Sequence, residues 1–402
     1  MTVRLADVAQ RTGVCVKTVS NVVHGYEHVK PLTRGRVQAA LDELDYRPNL
    51  SARALAGGQS GLIALAVPAL DMPYFAELAG AVVDAATERG WTVLVDQTGG
   101  LREQELEAAA GLRGRLIDGL ILSPMALEAE ELSRAQEDTP LVLLGEKIFG
   151  GPVDHVAVDN VAAAFTATCH LLELGRHRVG AIGCQADVNS GSGVAGRRRA
   201  GFEQALSAAG VPVDSSLAPA VDGYRRVDGA RAMAWLLETA EPPDAVFCFN
   251  DLLALGALRV LAERGVQVPD DVAVIGFDDI EDGRFCSPSL STVAPAKQSI
   301  ASQAVDMLHE RINRPKALAA RDVTVDFELL ARESTLGRTG SPCSDVPGCP
   351  RAQTEEHGTA GPRDQPTIGS QHEVSKSSSR SRDGRGTGSG AGGGRLRVRA
   401  GQ

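Results

Sequence analysis

Catalytic signatures are missing from this chain. Its 402 residues contain no G-x-S-x-G elbow, no P-loop and no H-E-x-x-H pair, so the best-marked hydrolytic and nucleotide chemistries lack their reacting groups. G-x-G-x-x-G occurs from Gly191 to Gly196, but no strand leads directly into it, and its second occurrence lies in a Gly/Ser tract. Spelling alone does not make a dinucleotide site. His24 and His28 are four apart, yet they span Gly25 and lack a third ligand. No catalysis, metal or cofactor is expected. The seven cysteines are scattered, Cys343 and Cys349 being the closest pair. None has C-x-x-C spacing, so reduced thiols are the plain reading. No stretch approaches the roughly 20 apolar residues that span a bilayer. Asp7 and Arg11 stand where a signal peptide needs an apolar run, so a cytoplasmic protein with no membrane partner is expected. Finally, residues 338–402 contain no Phe, Tyr or Trp and run through SSSRSRDGRGTGSGAGGG. Such a segment cannot bury enough apolar surface to offset its chain entropy, so a disordered tail is expected.

What is present begins at the N-terminus. Leu5, Val8 and Ala9 recur at helical spacing, and Gly13 follows at a turn position. A second helical stretch carries Val16, Val19 and Val23 and leaves Thr18, Ser20 and Asn21 facing outward. Two helices joined by a short Gly-containing turn are the helix-turn-helix arrangement, whose second helix enters the major groove of DNA. A third helix should start near Pro31 and end before Pro48. The Leu/Ala stretch NLSARALAGG follows, a helix too short to be stable alone in water.

Charge divides along the chain in keeping with this. The net charge is −10, but residues 1–58 hold eight basic residues against five acidic ones. Residues 338–402 are also net positive, with ten basic and six acidic residues, so the middle is strongly acidic. Phosphate should meet the N-terminal end only.

From Gly61 onward, short apolar strands alternate with helical segments, as in GLIALAVPAL, PYFAELAGAVVDAATERG and WTVLVDQ. The pattern restarts after a connection through GPVDHVAVDN, continuing as RVGAIGC, AVFCFN and VAVIGFDD. This alternation implies parallel sheets with helices on both faces, in two similar subdomains flanking a cleft. At 402 residues, two or three domains are expected.

The ordered set ADVA, GV, KTVSNVV, HV, TR and RPN resembles the N-terminus of the lactose-repressor family of bacterial transcription regulators. PPDAVFCFNDLLALGALRVL, VPDDVAVIGFDD, PSLSTVAP and LLARESTLGR resemble that family's effector-binding core, which is similar in fold to periplasmic sugar-binding proteins. The resemblance covers roughly residues 3–337. It implies an all-α helix-turn-helix headpiece (1–48), a hinge helix and linker (49–60), and an effector-binding and dimerisation domain (61–337). That domain is an α/β core of two doubly wound parallel-sheet subdomains, with crossovers near Asn160, Ser291 and Asp322. The disordered tail (338–402) lies beyond it.

The resemblance also assigns roles. Val16, Lys17 and Asn21 occupy base-reading positions, where Lys suits guanine, Asn suits adenine and Val suits the thymine methyl. Thr18, Ser20, His24 and Thr33 should position the headpiece through phosphates, with Asn49 also contacting DNA. Leu55 matches a hinge leucine that wedges into the minor groove. Cys15 and Lys30 stand where the family often has serine, and both are poorer helix caps. In the cleft, Asp71, Tyr74 and Phe75 follow the first strand, while Arg198, Tyr224, Asn250 and Asp278 belong to the second subdomain. An Arg fork with planar polar groups suits vicinal hydroxyls or a carboxylate, and aromatics cover a sugar's apolar face. The resemblance therefore implies a homodimeric repressor on a roughly palindromic double-stranded operator, controlled by a small molecule, with a sugar expected. A nucleobase co-repressor is the alternative within the class, and a sugar-binding transport component the alternative outside it. The tail shows no sustained apolar heptad, so a dimer rather than a tetramer is expected.

Overall fold

In the computed structural model, residues 3–23, 26, 28–46, 59–110, 116–135, 139–145, 148, 150–185, 193–314, 319–337 and 398–400 are described. The headpiece consists of α1 (Leu5–Thr12), α2 (Val16–Val23) and α3 (Pro31–Glu43). Gly13 closes α1 at φ +67°, the left-handed conformation that glycine adopts without steric cost. The Asp7 carboxylate accepts the Arg4 backbone N–H at 2.8 Å and secures the first turn. Val8, Ala9, Val19, Val22, Val37, Ala40 and Leu41 form its core. Lys30 precedes α3 with no side-chain capping bond. His24, Asn49, Leu55 and the expected hinge helix lie outside the described residues, as does the tail apart from 398–400.

The acidic body begins with β1 (Leu62–Val67), α4 (Pro73–Thr87), β2 (Thr92–Gln97), α5 (Arg102–Ala109), β3 (Gly119–Leu122), α6 (Ala129–Ala135), β4 (Leu141–Leu144) and β5 (Asp154–Val158). The second run is α7 (Asn160–Glu173), β6 (Val179–Ile182), α8 (Val194–Ala208), α9 (Arg226–Leu237), β7 (Ala245–Cys248), α10 (Asp251–Glu263), β8 (Ala273–Phe277), α11 (Asp282–Phe285) and β9 (Ser291–Pro295). The chain then returns through α12 (Lys297–Asn313), β10 (Asp322–Val325), β11 (Phe327–Ala331) and α13 (Glu333–Leu336). A short β12 (Val398–Ala400) pairs in parallel with β11. The segment read from sequence as a connection through GPVDHVAVDN contains β5, whose five residues are all buried. Its polar Asp154 and His155 masked the strand pattern. Both are held by partners inside the fold: Arg311 and Arg321 on Asp154, and Asp322 on His155.

Strand order is β10-β5-β4-β3-β1-β2 in the first sheet and β12-β11-β9-β8-β7-β6 in the second. The first sheet buries both faces. Ile63, Leu65 and Val67 pack under α4 and α12, while Ala64 and Ala66 pack on the other side with Leu120 and Leu122. The chain passes between subdomains at Asp159, Ala296 and Asp326, the last two a few residues beyond Ser291 and Asp322 because β9 and β10 finish their sheets before crossing. Only Asp326 separates β10 from β11. The chain keeps its direction through that crossing, so β11 runs away from the cleft and pairs antiparallel with β9. The parallel-sheet expectation therefore meets one antiparallel pairing.

Close helix packing in the second subdomain depends on glycine. A Cβ on Gly256 of α10 would lie 1.9 Å from the Arg226 carbonyl oxygen, and one on Gly229 of α9 would lie 2.1 Å from that of Leu253. Among the described residues, no helix is long and apolar enough to cross a membrane. Gly256→Ala should force α9 and α10 apart and cost about 1–3 kcal/mol. Urea unfolding checks this, and an unchanged midpoint would show that the helices can slide freely.

Candidate effector cleft and DNA-reading helix

Both sheets aim the carboxyl ends of their parallel strands at the cleft, where open α/β sheets bind ligands. A cavity of about 460 Å³ lies there. The first subdomain contributes Tyr74 and Phe75, just after β1, and Ser123 and Met125 after β3. Asn160, Arg198, Tyr224, Arg225, Asn250, Phe277 and Asp278 line the opposite wall.

Arg198 on α8 is the centre of that wall. Its Nε donates to Asn160 Oδ1 at 2.6 Å and its Nη1 to the Phe249 carbonyl oxygen. Its Nη2 lies 3.8 Å from Asp278 Oδ1, and its guanidinium carbon sits 3.4 Å from the Phe277 ring centroid. A buried cation is tolerable only when paired and hydrogen-bonded, and here Nε and Nη1 are hydrogen-bonded, Nη2 lies near a carboxylate and one face stacks on an aromatic ring. Arg198, Asn160 and Asp278 thus present one clustered polar edge.

Other expected residues have additional duties. Asn250 caps α10, its Oδ1 accepting from Leu253 N at 2.8 Å, and its Nδ2 donates to the Tyr224 carbonyl at 3.1 Å. The Tyr224 hydroxyl donates to the Gly183 carbonyl at 2.7 Å, and burial pushes its phenol pKa up. Tyr224 lines the cavity with its hydroxyl already engaged. Asp71 does not line the cavity. It lies exposed at the rim and makes a two-pronged pair with Arg225 of the opposite subdomain, at 2.7 and 3.2 Å. That hydrogen bond lowers the Asp71 pKa. Arg225, Asn160 and Phe277 were missed as site residues by sequence reasoning. Asn160 carried a usable signal, because it follows directly on VAVD at a strand-to-helix junction. Arg225 carried none, since its partner lies 154 positions away.

Beneath the wall lies a buried carboxylate layer. Asp251 is fully buried, and burial together with Asp278 raises its pKa well above the usual carboxyl range. Asp279 is also buried, which raises its pKa, but hydrogen bonds from Arg284 (2.8 Å) and Arg332 (2.6 Å) outweigh that effect and leave it lowered.

At the other end of the molecule, Val19 and Val22 of α2 are buried while Val16 and Lys17 are exposed. Thr18, Ser20 and Asn21, and Thr33 on α3, are half-buried. The helix therefore presents Val16 and Lys17 outward, as a groove-reading helix requires. Cys15 Sγ lies 3.1 Å from Thr18 Oγ1, and that contact lowers the thiol pKa.

A helix-turn-helix headpiece joined to a two-subdomain core with a ligand-sized cleft defines a ligand-sensing, DNA-binding transcription regulator. Residues 4–49 match the family described as bacterial regulatory proteins, lacI family, and residues 168–335 match the periplasmic binding protein-like domain. The regulator DegA of Bacillus subtilis (strain 168) is 32% identical over 341 residues, spanning 83% of this chain and 98% of DegA. A LacI-family structure from Sanguibacter keddieii DSM 10542 is 50% identical with a TM-score of 0.65, covering 70% of this chain and 100% of that one. The Lac repressor dimer bound to operator and the anti-inducer ONPF is 28% identical with a TM-score of 0.73, covering 84% and 100%. The chain belongs to the lacI family of bacterial regulatory proteins, whose members are DNA-binding transcriptional repressors with a ligand-binding core.

The Asp279 cluster predicts a pH dependence. Because its folded pKa is depressed, its stabilisation is present above the unfolded value of about 3.9 and lost as pH falls through the folded one. Asp279→Asn should cost roughly 2–3 kcal/mol at pH 7, leaving Arg332 buried without its carboxylate. The gap to wild type should shrink below about pH 4. Urea midpoints at pH 7 and 3.5 test it, and equal gaps would contradict the assignment.

Proposed function

We propose that this regulator binds a roughly palindromic operator as a homodimer and that a sugar-sized effector in the cleft sets its affinity. The observation that carries the effector reading is the Arg198–Asn160–Asp278 edge facing Tyr74 and Phe75 across the cavity. Two planar polar groups and a guanidinium match vicinal hydroxyls, and an aromatic wall covers the apolar face of a sugar ring. The effector acts by population shift. A ligand that binds one relative orientation of the subdomains better biases that state, and the hinge segments at 49–60 follow the first subdomain. The repressor works in the cytoplasm, performs no catalysis, and needs neither the tail nor a second dimer for operator binding. Leu55 wedges the operator centre, His24 and Asn49 join Thr18, Ser20 and Thr33 on the DNA backbone, and Asp71, Tyr224 and Asn250 complete the effector site around its rim and floor.

The direct test is calorimetry of the full chain against a panel of pentoses, hexoses, disaccharides and purines. Binding of a sugar that is lost in Arg198→Ala, with effector-free operator affinity retained, is the expected result. Purine binding alone would replace the sugar reading with the nucleobase alternative.

Base reading falls to Lys17 and Asn21. Exchanging the pair should change the half-site recovered from a randomised-duplex selection, each mismatched contact being worth about 1–3 kcal/mol. Recovery of the same consensus would place base reading on other residues.

A further inference from the structure

Lys297 is the first residue of α12, directly after the second crossing between subdomains. That is a costly place for a cation. The positive end of the helix dipole repels it, and the residue is only 8% exposed. Compensation comes from three acceptors, one for each ammonium N–H. The Glu77 carboxylate on α4 is one. The carbonyl oxygens of Asp278 and Asp279, each at 2.9 Å, are the others. An ammonium has three donors, so this one is fully used.

The two carbonyls belong to a strained turn. Asp278 and Asp279 have φ values of +115° and +48°, consecutive positive values at residues with a Cβ. Such backbones persist only where their surroundings hold them. The strain has a result: it sets the Asp278 side chain into the cavity beside Arg198. Glu77 receives a second donor from the far side of the cleft, the Glu281 backbone N–H at 3.0 Å. A single carboxylate on α4 therefore holds both the ammonium and the end of the same turn.

We propose that Lys297 is a positioning residue that fixes the Asp278 turn in its ligand-facing form and, through Glu77, ties that turn to the first subdomain. Presentation of Asp278 and closure of the cleft are then one event. A ligand that pulls on Asp278 pulls on α4, and motion of α4, which also carries Tyr74 and Phe75, reaches Asp278 through Glu77 and Lys297. The functional consequence rests on the cleft being the effector site; the mechanical linkage does not.

The test uses the ligand-free full chain, with amide exchange read at Ile280 and Glu281 and a distance distribution read between spin labels on encoded non-natural residues at Glu88 and Glu263. Lys297→Met keeps the stem and removes all three donors. It should speed exchange at both amides at least tenfold and add a longer interlabel distance. Glu77→Ala should lengthen the distance and speed exchange at Glu281, while Ile280 stays protected by its bond to Asp251 Oδ2 at 2.9 Å and by the intact Lys297 contacts to the turn. Lys297→Arg should restore protection at Ile280. Should Lys297→Met fail to fold, Glu77→Ala and Lys297→Arg still decide the matter. Unchanged exchange in Lys297→Met, unchanged distances in Glu77→Ala, or equal loss at both amides in Glu77→Ala would each overturn the proposal. A wild-type protein that binds no sugar or purine would remove the effector reading and leave these ligand-free results standing.

Discussion

Parallel strands that end on a common cleft are the constraint from which the rest of the core follows. In each subdomain the strands point their carboxyl ends the same way, so the loops that leave them converge. Tyr74, Phe75, Asn160, Asn250 and Asp278 stand in those loops or in the first turn of the helices that follow them. The chain crosses between the sheets beside this convergence, at Asp159, Ala296 and Asp326. Ligand groups and hinge are therefore neighbours by topology.

Burial of charge on the second wall follows from the same geometry. Arg198, Asp278 and Asp279 lie beside these converging strand ends and are buried, as is Lys297 at the start of α12. Each charge is kept by specific partners, and removing one partner of such a group leaves the other uncompensated at a cost of several kcal/mol. Arg198 engages Asn160, the Phe249 carbonyl and the Phe277 ring, while Asp279 engages Arg284 and Arg332. This network ties the cavity-lining Arg198 and Asp278 to several neighbours.

Much of this was legible in the chain. Helical spacing in residues 5–44 and the Gly13 turn are local signals, and the three headpiece helices appear where they place them. Runs such as LIALAV and AVIGF are apolar at every position because both faces of a parallel strand are covered, and that too is local. The strand Asp154–Val158 was harder to see. It begins with two polar residues whose partners, Arg311, Arg321 and Asp322, lie more than 150 positions further along.

The site divides along the same line. Helical spacing put Val16 in one stripe with Val19, and the structure turns it outward, but sequence by itself determined that a helix-turn-helix unit precedes two α/β units and that Arg198, Asn250 and Asp278 belong near strand-to-helix junctions. These depend on periodicity and on turns a few residues long. Only the tertiary structure decided that Asp71 stands at the rim bonded to Arg225, that Tyr224 turns its hydroxyl into its own subdomain, and that Lys297 joins Glu77 to the Asp278 turn. The Asp71–Arg225 and Lys297–Glu77 contacts join residues more than 150 positions apart, and no local preference encodes a partner at that distance. Which side chains meet across the cleft is set by how the two sheets pack, and that depends on every crossing and core contact at once.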